Sequence, residues 1–436
     1  MLVGFERKGR ESANRASQTG SSNGVSNEDS LDELAELAAT AGAIVVDRVF
    51  QSRDSPEAAT LLGQGKVREL ADLVASEKAD VVLSDHDLTP TQQRNLEERL
   101  NTKVIDRTQL ILDIFASRAR TREGRLQVEL AQLNYMLPRL SGQGVAMSRL
   151  GGGIGTRGPG ETKLETDRRR IAQRIKKIEE NLEKVRAGRG VHRRQRQSVP
   201  LPTLAMVGYT NAGKSTLFNR LTESAVMADA RMFATLDPTV RSLILPSRRR
   251  VLLSDTVGFI RNLPTTLVQA FRATLEEVAE ATLILHVVDA AAAHAAAQTA
   301  HVFKVLAEIG AAETPQLLVF NKSDKLPPDE ADPDGLRARL LSGTGEKAEP
   351  RTLSISALTG AGQGDLLRAI DEILPFDPIV EARFRLPAGA GAELAMLHEL
   401  GNVKSVRYVE DYAEIEAEVS ESLRRRLTEF LCERST

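Results

Sequence analysis

Residues 208–215, with the sequence GYTNAGKS, limit the possible folds of this chain more than any other segment. They match the pattern GxxxxGK[ST] and lie between an apolar segment, TLAMVG, and a helical segment, TLFNRL. The glycines of such a loop let backbone N–H groups converge on phosphate oxygens at the N-terminus of a helix. This strand–loop–helix unit predicts an α/β domain with a doubly wound, mostly parallel sheet.

Strand-like and helical segments alternate through residues 201–378, which we predict to form this phosphate-binding domain. Within the loop, Lys214 is suited to neutralise the β and γ phosphates, and the Ser215 hydroxyl to bind Mg²⁺. Asp255 ends the apolar segment VLLSD, one strand away from the loop, where a carboxylate supports a Mg²⁺ ion. Gly258 follows closely, and its backbone N–H is predicted to meet the γ-phosphate.

Two further motifs predict that the base of the nucleotide is guanine. The sequence NKSD at residues 321–324 follows the strand-like segment QLLVF, and the Asp324 carboxylate is suited to accept hydrogen bonds from guanine N1–H and N2–H₂. Ser356 and Ala357 follow RTLSI, where a backbone N–H is suited to reach guanine O6. A single aspartate after a strand is more often a helix N-cap. Its combination with the other motifs, in this order and spacing, predicts a GTP site.

Residues 117–200 differ from the rest of the chain in charge and periodicity. Between residues 116 and 200 there are 20 Lys and Arg residues against 8 Asp and Glu residues, although the whole chain has a net charge of −2. Leucine and isoleucine recur at heptad spacing on both sides of a segment with eight glycines, residues 142–160 (the tip). This pattern predicts a basic, antiparallel coiled-coil hairpin (the arm) that binds a polyanion such as nucleic acid.

The remaining segments predict smaller units. Residues 1–30 are rich in Ser, Asn, Gly and charge, and we expect a disordered leader. Strand-like and helical segments alternate through residues 31–116 and predict an N-terminal α/β domain. Residues 379–436 predict a small α+β domain, in which YAEIEAEV alternates like a half-buried strand. The run GQGK at residues 63–66 is explained by a turn before a helix, although a second phosphate or RNA contact is the alternative.

Composition excludes several classes of protein. Cys432 is the only cysteine, so an internal disulfide and a multi-cysteine metal site are excluded. No apolar run approaches the roughly 20 residues that span a bilayer, and the first residues, MLVGFERKGRESANRAS, lack the apolar core of a signal peptide. We therefore expect a cytoplasmic protein with no membrane span. We also expect it to be a monomer.

The motifs GYTNAGKSTLFNRL, FATLDPT, DTVGFI, NKSD and SAL together resemble the HflX family, within the translation-factor-related GTPases. GQGKVREL and GGGIGTRGPGETKLETDRRR resemble the N-terminal domain and arm of the same family. This resemblance implies a GTPase that engages the large ribosomal subunit and splits or rescues stalled or dormant ribosomes. Arg149, Arg157 and Lys163, in or beside the tip, are the candidate ribosome contacts.

The resemblance also implies that residues 233–237, FATLD, form the first switch, in which Thr235 completes the Mg²⁺ site; Thr239 is an alternative. Lys214, Thr235 and Gly258 are the predicted catalytic residues. The predicted GTP contacts are Gly208, Tyr209, Thr210, Asn211, Ala212, Gly213, Lys214, Ser215 and Thr216 in the loop, Phe233, Ala234, Thr235, Leu236 and Asp237 in the first switch, Asp255, Thr256, Val257 and Gly258 in the second switch, and Asn321, Lys322, Ser323, Asp324, Ser356, Ala357 and Leu358 around guanine.

Two positions bear on how hydrolysis is assisted. Phe259 occupies the position where many small GTPases carry a glutamine that orients the attacking water, so we expect slow basal hydrolysis. Asn211 occupies the position at which related potassium-stimulated GTPases hold a cation-binding asparagine, so K⁺ is a candidate cofactor beside Mg²⁺; bracing of the loop by hydrogen bonds is the alternative. Two other functions are alternatives. The first is a metabolic phosphoryl-transfer enzyme, against which NKSD and the Ser356–Ala357 pair argue, because such an enzyme needs an acceptor pocket and a lid rather than a guanine site. The second is a structural RNA-binding protein with a nucleotide-stabilised fold.

Overall fold

In a computed structural model of the chain, the described residues form three β-sheets flanked by helices. It describes residues 1–7, 27–142, 159–197, 201–223, 232–233, 235–236, 239–261, 277–327, 330, 332–341, 350–375, 377–387 and 389–432. In the part of the chain that these ranges cover, no helix combines the length and the apolar character needed to cross a membrane.

The N-terminal sheet has four parallel strands in the order β2-β1-β3-β4. Its strands are β1 (Leu2–Arg7), β2 (Arg48–Arg53), β3 (Val81–Ser84) and β4 (Lys103–Asp106). The helices of this region are α1 (Asn27–Thr40), α2 (Gln64–Ser76), α3 (Pro90–Leu100) and α4 (Arg107–Arg118). Helix α4 starts directly after β4, and the Asp106 side chain caps it by accepting from Gln109 N–H at 2.9 Å.

The predicted disordered leader is wrong at both of its ends. Residues 2–7 form β1, an inner strand paired with both β2 and β3, and Leu2, Val3 and Phe5 are buried. Helix α1 begins at Asn27, before residue 31. The short apolar run LVGF is outweighed in composition by the polar residues after it, yet backbone pairing on both sides suffices to make it a strand. Residues 8–26 lie outside the described residues.

Two α-helices form most of the described part of the arm, α5 (Arg122–Met136) and α6 (Pro159–Gln197). They pack against each other: Arg174 of α6 donates two hydrogen bonds to the Glu129 carboxylate of α5, at 2.7 and 2.8 Å. Ile178 and Leu182 of α6 are buried. With 39 residues, α6 is about 58 Å long at the usual rise per residue. Residues 143–158, most of the tip, lie outside the described residues.

The central sheet has six strands in the order β10-β9-β8-β5-β7-β6, and only its edge strand β6 is antiparallel. The mostly parallel sheet predicted from the sequence is thereby confirmed. Its strands are β5 (Thr203–Val207), β6 (Thr239–Ile244), β7 (Arg250–Asp255), β8 (Leu283–Asp289), β9 (Gln316–Asn321) and β10 (Arg351–Ser354). The helices here are α7 (Lys214–Thr222), α8 (Ala295–Glu308), α9 (Pro333–Leu341) and α10 (Gln363–Ile373).

The C-terminal sheet is antiparallel, with the strand order β11-β13-β12. It consists of β11 (Ile379–Pro387), β12 (Asn402–Val409) and β13 (Tyr412–Ser420), with α11 (Gly391–Leu400) and α12 (Glu421–Arg426). Along β13, Ala413, Ile415, Ala417 and Val419 are buried, and they alternate with glutamates. The predicted half-buried strand is confirmed.

Candidate functional site

The loop between β5 and α7 has backbone conformations and close contacts that favour its glycines. Gly208 has φ 151° and Gly213 has φ 93°. A Cβ on Gly208 would lie 2.2 Å from the Val287 carbonyl oxygen, and one on Gly213 would lie 2.2 Å from Asn321 Nδ2. Asn211 also has a positive φ, 61°, a region that asparagine tolerates better than most residues. This turn therefore requires glycine at residues 208 and 213 and is compatible with asparagine at residue 211.

Lys214 lies at the first position of α7, and its side chain is buried against the loop. Its Nζ donates to the carbonyl oxygens of Gly208 at 3.0 Å and Tyr209 at 2.8 Å. Burial lowers the pKa of Lys214 to about 8, although nearby Asp255 opposes this change. A phosphate group beside Nζ would favour the charged form, because an opposite charge raises the pKa of a lysine.

Three oxygen-bearing side chains from three segments meet beside this lysine. Asp255 Oδ2 accepts from Ser215 Oγ at 2.9 Å and from Thr235 Oγ1 at 2.7 Å, and the two hydroxyl oxygens are 2.9 Å apart. Asp255 Oδ1 is buried without a hydrogen-bond partner within the described residues, and burial raises the pKa of this carboxyl. Hydroxyl and carboxylate oxygens in one place fit Mg²⁺, which prefers oxygen ligands. Because Thr235 takes part in this cluster, the geometry favours it over Thr239, which begins β6.

The second switch, in which we include the residues up to Arg261 (residues 255–261), is held against the phosphate loop by backbone hydrogen bonds. Phe259 N–H donates to the Gly208 carbonyl at 3.1 Å, and Thr210 N–H donates to the Phe259 carbonyl at 2.7 Å. A Cβ on Gly258 would lie 3.0 Å from Lys214 Nζ, so only glycine fits there without a shift. Phe259 and Ile260 are both buried in the apolar core. Neither can orient a water molecule by hydrogen bonding.

The two guanine motifs and the phosphate loop are joined through Asn321. Its Nδ2 donates to the Ala212 carbonyl at 2.8 Å, and its Oδ1 accepts from Ala357 N–H at 2.9 Å. Asp324 is exposed, and its Oδ1 accepts from Ser356 Oγ at 2.5 Å. The parallel strands β5, β9 and β10 bring these loops to one edge of the sheet, where a nucleotide can contact all of them.

Further predicted site residues differ in where the structure places them. Leu236 and Val257 are buried in the core, whereas Leu358 is 72% exposed beside the guanine motifs. Ala234 and Asp237 of the first switch lie outside the described residues, as do Arg149 and Arg157. Lys163 lies in α6. The predicted turn at GQGK is wrong: Gly63 is the N-cap of α2, and residues 64–66 already form the first turn of that helix.

Sequence reasoning missed that α1 and α4 of the N-terminal region contact the nucleotide loops. The Tyr209 hydroxyl lies 3.0 Å from both carboxylate oxygens of Glu33, and Arg107 donates to the Arg261 carbonyl at 3.2 Å. Phe115 stacks edge-on against Phe233 of the first switch, with ring centroids 4.5 Å apart. No local pattern marks these residues, because each partner is far away along the chain.

Three family models match consecutive segments of the chain. A model described as "GTP-binding GTPase N-terminal" matches residues 28–116, and one described as "GTP-binding GTPase Middle Region" matches residues 118–196. A model described as "50S ribosome-binding GTPase" matches residues 203–322.

Curated relatives match nearly the whole chain. The GTPase HflX of Caldanaerobacter subterraneus subsp. tengcongensis is 48% identical over 404 residues, which cover 93% of this chain and 90% of the relative. The GTPase HflX of Escherichia coli K12 is 45% identical over 381 residues, 87% of each chain. Among solved structures, a GTP-binding protein of Sulfolobus solfataricus in complex with GDP is 24% identical, with a TM-score of 0.43, covering 85% of this chain and 97% of that one.

Proposed function

The chain belongs to the HflX family of GTPases and is a GTP-hydrolysing enzyme, and on that premise we propose that it is a switch protein of the large ribosomal subunit. In this proposal it splits or rescues stalled or dormant ribosomes in the cytoplasm, and it acts as a monomer. The observation that carries the ribosomal part is the basic arm, with 20 cationic against 8 acidic residues, joined to a domain that matches a 50S ribosome-binding GTPase model.

In the proposed mechanism, the loop residues 208–215 surround the phosphates, and Lys214 turns from its two carbonyl partners to the β and γ phosphate oxygens. Ser215 and Thr235 would hold Mg²⁺, while Asp255 orients both hydroxyls. The bound ion would neutralise phosphate charge that develops during hydrolysis. The Gly258 N–H would donate to the γ-phosphate, and its lack of a side chain permits that approach.

Binding to the large subunit is directly measurable. We expect the full chain to co-sediment with purified large subunits more strongly in a non-hydrolysable GTP analogue than in GDP, and added salt to weaken the binding because the arm contacts RNA phosphates. Sedimentation that is the same in both nucleotides would instead favour the alternative, a structural RNA-binding protein whose fold nucleotide merely stabilises. The exposed pair of Arg48 and Asp32 offers a control, since Arg48→Gln removes one positive charge far from the arm in sequence.

Guanine selection is predicted to depend on Asp324. Asp324→Asn should weaken GTP binding at least tenfold and shift preference to xanthine nucleotide, because a hydrogen bond to a charged group is worth about 1.5–3 kcal/mol. Titrations with fluorescent GTP and XTP would measure both affinities. Asp365→Asn is a matched control, since Asp365 is an exposed aspartate near the start of α10. Unchanged GTP affinity in Asp324→Asn would remove this carboxylate from the site.

Potassium is predicted to raise the basal rate. The buried Phe259 offers no polar group to the reaction, and a K⁺ ion held by Asn211 would supply positive charge beside the phosphates. We expect basal GTP hydrolysis to be faster in K⁺ than in Na⁺ at equal ionic strength, and the difference to vanish in Asn211→Ala and Asn211→Asp. Equal rates in both salts for the unmodified protein would leave Asn211 with a bracing role only.

A further inference from the structure

A network of buried polar side chains joins the N-terminal region to the second switch. The Arg107 side chain is 2% exposed, and it forms ion pairs with Glu33 at 2.5 Å and Asp85 at 2.8 Å. Nη2 of Arg107 also donates to the Arg261 carbonyl. Tyr209 completes the network, since its hydroxyl contacts Glu33 and accepts from Arg261 N–H at 2.8 Å. Both backbone polar groups of Arg261 are therefore bound within this network.

The backbone before Arg261 is equally constrained. The Ile260 carbonyl lies 3.1 Å from His301 Nε2 of α8, and both backbone groups of Phe259 bond to the phosphate loop. Residues 259–261 thus lie between the phosphate loop on one side and Arg107 on the other. A displacement of this segment on nucleotide binding would break its hydrogen bonds to the N-terminal region. The break would cost free energy unless the N-terminal region moved as well, because buried polar groups left without partners are costly.

The first switch contacts the same helices. Phe233 is 3% exposed and stacks on Phe115 of α4, and Met232 N–H donates to Thr40 Oγ1 at the end of α1, at 3.2 Å. Phe233 has a positive φ of 56°, which is unfavourable for a bulky residue and persists here because its side chain is packed. Two residues later, Thr235 reaches Asp255. Contacts with the N-terminal region therefore support the predicted Mg²⁺ site.

Helix α4 also connects to the arm. Asp106, its N-cap, accepts from Tyr135 Oη of α5 at 2.8 Å and from Arg139 Nη2 at 3.0 Å. The Arg139 guanidinium lies 3.4 Å above the Tyr135 ring, and its Nη2 donates to the Leu88 carbonyl at 2.8 Å. Arg107, which directly follows Asp106, contacts the second switch through the Arg261 carbonyl. One helix therefore joins the end of α5 to both switches.

From this arrangement we infer that α4 couples the nucleotide state to the position of the arm. Arg107 and Phe115 are positioning residues for GTP hydrolysis, and the N-terminal region moves with the arm as one body when the switches change. The biological role of this coupling rests on the proposed function, since the arm is the segment that would reach the ribosome. The tests use free protein without ribosomes, so they can fail or succeed independently of the ribosomal proposal.

The first test measures steady-state GTP turnover of the full chain. Tyr209→Phe removes one hydroxyl from the network, and we expect kcat to fall at least threefold while KM stays within twofold. Arg107→Gln should act in the same direction and more strongly, and Arg48→Gln, in an exposed ion pair of the same region, should change neither constant. Because Arg107→Gln could unfold the N-terminal region, Tyr209→Phe decides the test. An unchanged or raised kcat in Tyr209→Phe would overturn the positioning role.

The second test measures the movement itself, which a purely structural role would not produce. In a Cys432→Ser background, spin labels at Arg169→Cys in α6 and Lys304→Cys in α8 report the distance between the arm and the central sheet; both side chains are exposed. We expect the distance distribution to differ between GDP and a non-hydrolysable GTP analogue, and the difference to disappear in Tyr209→Phe but persist in Arg48→Gln. Identical distributions in the two nucleotides, or a difference that survives Tyr209→Phe, would refute the coupling.

Discussion

Lys214→Ala is expected to reduce GTP turnover about a hundredfold or more, since removing a single charge-stabilising donor from a transition state commonly costs that much. Lys214 is the buried cation of the phosphate loop, and two loop carbonyls hold its Nζ at 3.0 and 2.8 Å. No other lysine is near enough in sequence to replace it within α7. Phosphate release in a single turnover, at saturating GTP and Mg²⁺, would measure the loss.

Ser215→Ala should reduce turnover to a similar extent by a different route. It removes one of the two hydroxyls on Asp255 Oδ2, so the loss should be partly relieved by high Mg²⁺, whereas the loss in Lys214→Ala should not. Lys304→Ala, an exposed lysine on α8, is the matched control and should retain full activity. Undiminished hydrolysis in both Lys214→Ala and Ser215→Ala would mean that the active nucleotide site lies elsewhere.

Replacing residues 151–160 by a short neutral turn is expected to abolish the effect of the protein on the ribosome and to leave basal GTP hydrolysis nearly intact. Ser215, Thr235 and Asp255 form their cluster through contacts with one another, and α6 alone is about 58 Å long, enough to carry a contact far from the nucleotide. The measurements are subunit dissociation in a sucrose gradient and turnover without ribosomes. Splitting at the unmodified rate would make the tip a passive connector.

Charge at the tip should matter in a graded way. Arg149→Gln and Arg157→Gln should each weaken binding to large subunits less than the loop replacement does. Both should also flatten the salt dependence of binding, because a variant with one phosphate contact fewer releases fewer counterions when it binds. Arg48→Gln should leave the salt dependence unchanged. An equal effect of all three substitutions would show that overall charge, and not the tip, determines binding.

The central sheet and the nucleotide loops were predictable from the sequence because each motif is local. The apolar strands end directly at Asp255 and Asn321, and parallel strands bring their carboxyl ends to one edge of a sheet. The contact of Asn321 with both Ala212 and Ala357 follows from that topology. The identification of the first switch needed the family resemblance as well, since Thr235 and Thr239 are equivalent in local pattern.

Other features depend on partners that are distant in sequence. Strand β1 is stabilised by pairing with β2 and β3, 46 and more residues away, and its six residues are too few for a clear pattern. Glu33 meets Tyr209 across 176 positions, and Arg107 meets Arg261 across 154. On an amphipathic helix, a glutamate that faces another domain has the same spacing as one that faces water. Only the folded structure distinguishes the two.

The most direct test of the proposed function is the rate of GTP hydrolysis by the full chain with and without purified large ribosomal subunits, with small subunits as the control. The buried Phe259 predicts a slow basal rate, because it cannot orient the attacking water. Contact with the large subunit would supply a group that does so. We expect large subunits to raise the rate about tenfold or more, and small subunits to leave it unchanged; arginines supplied by partners of other GTPases raise the rate by about 10³–10⁵. The same rate under all three conditions would contradict the proposal that this GTPase acts on the large subunit.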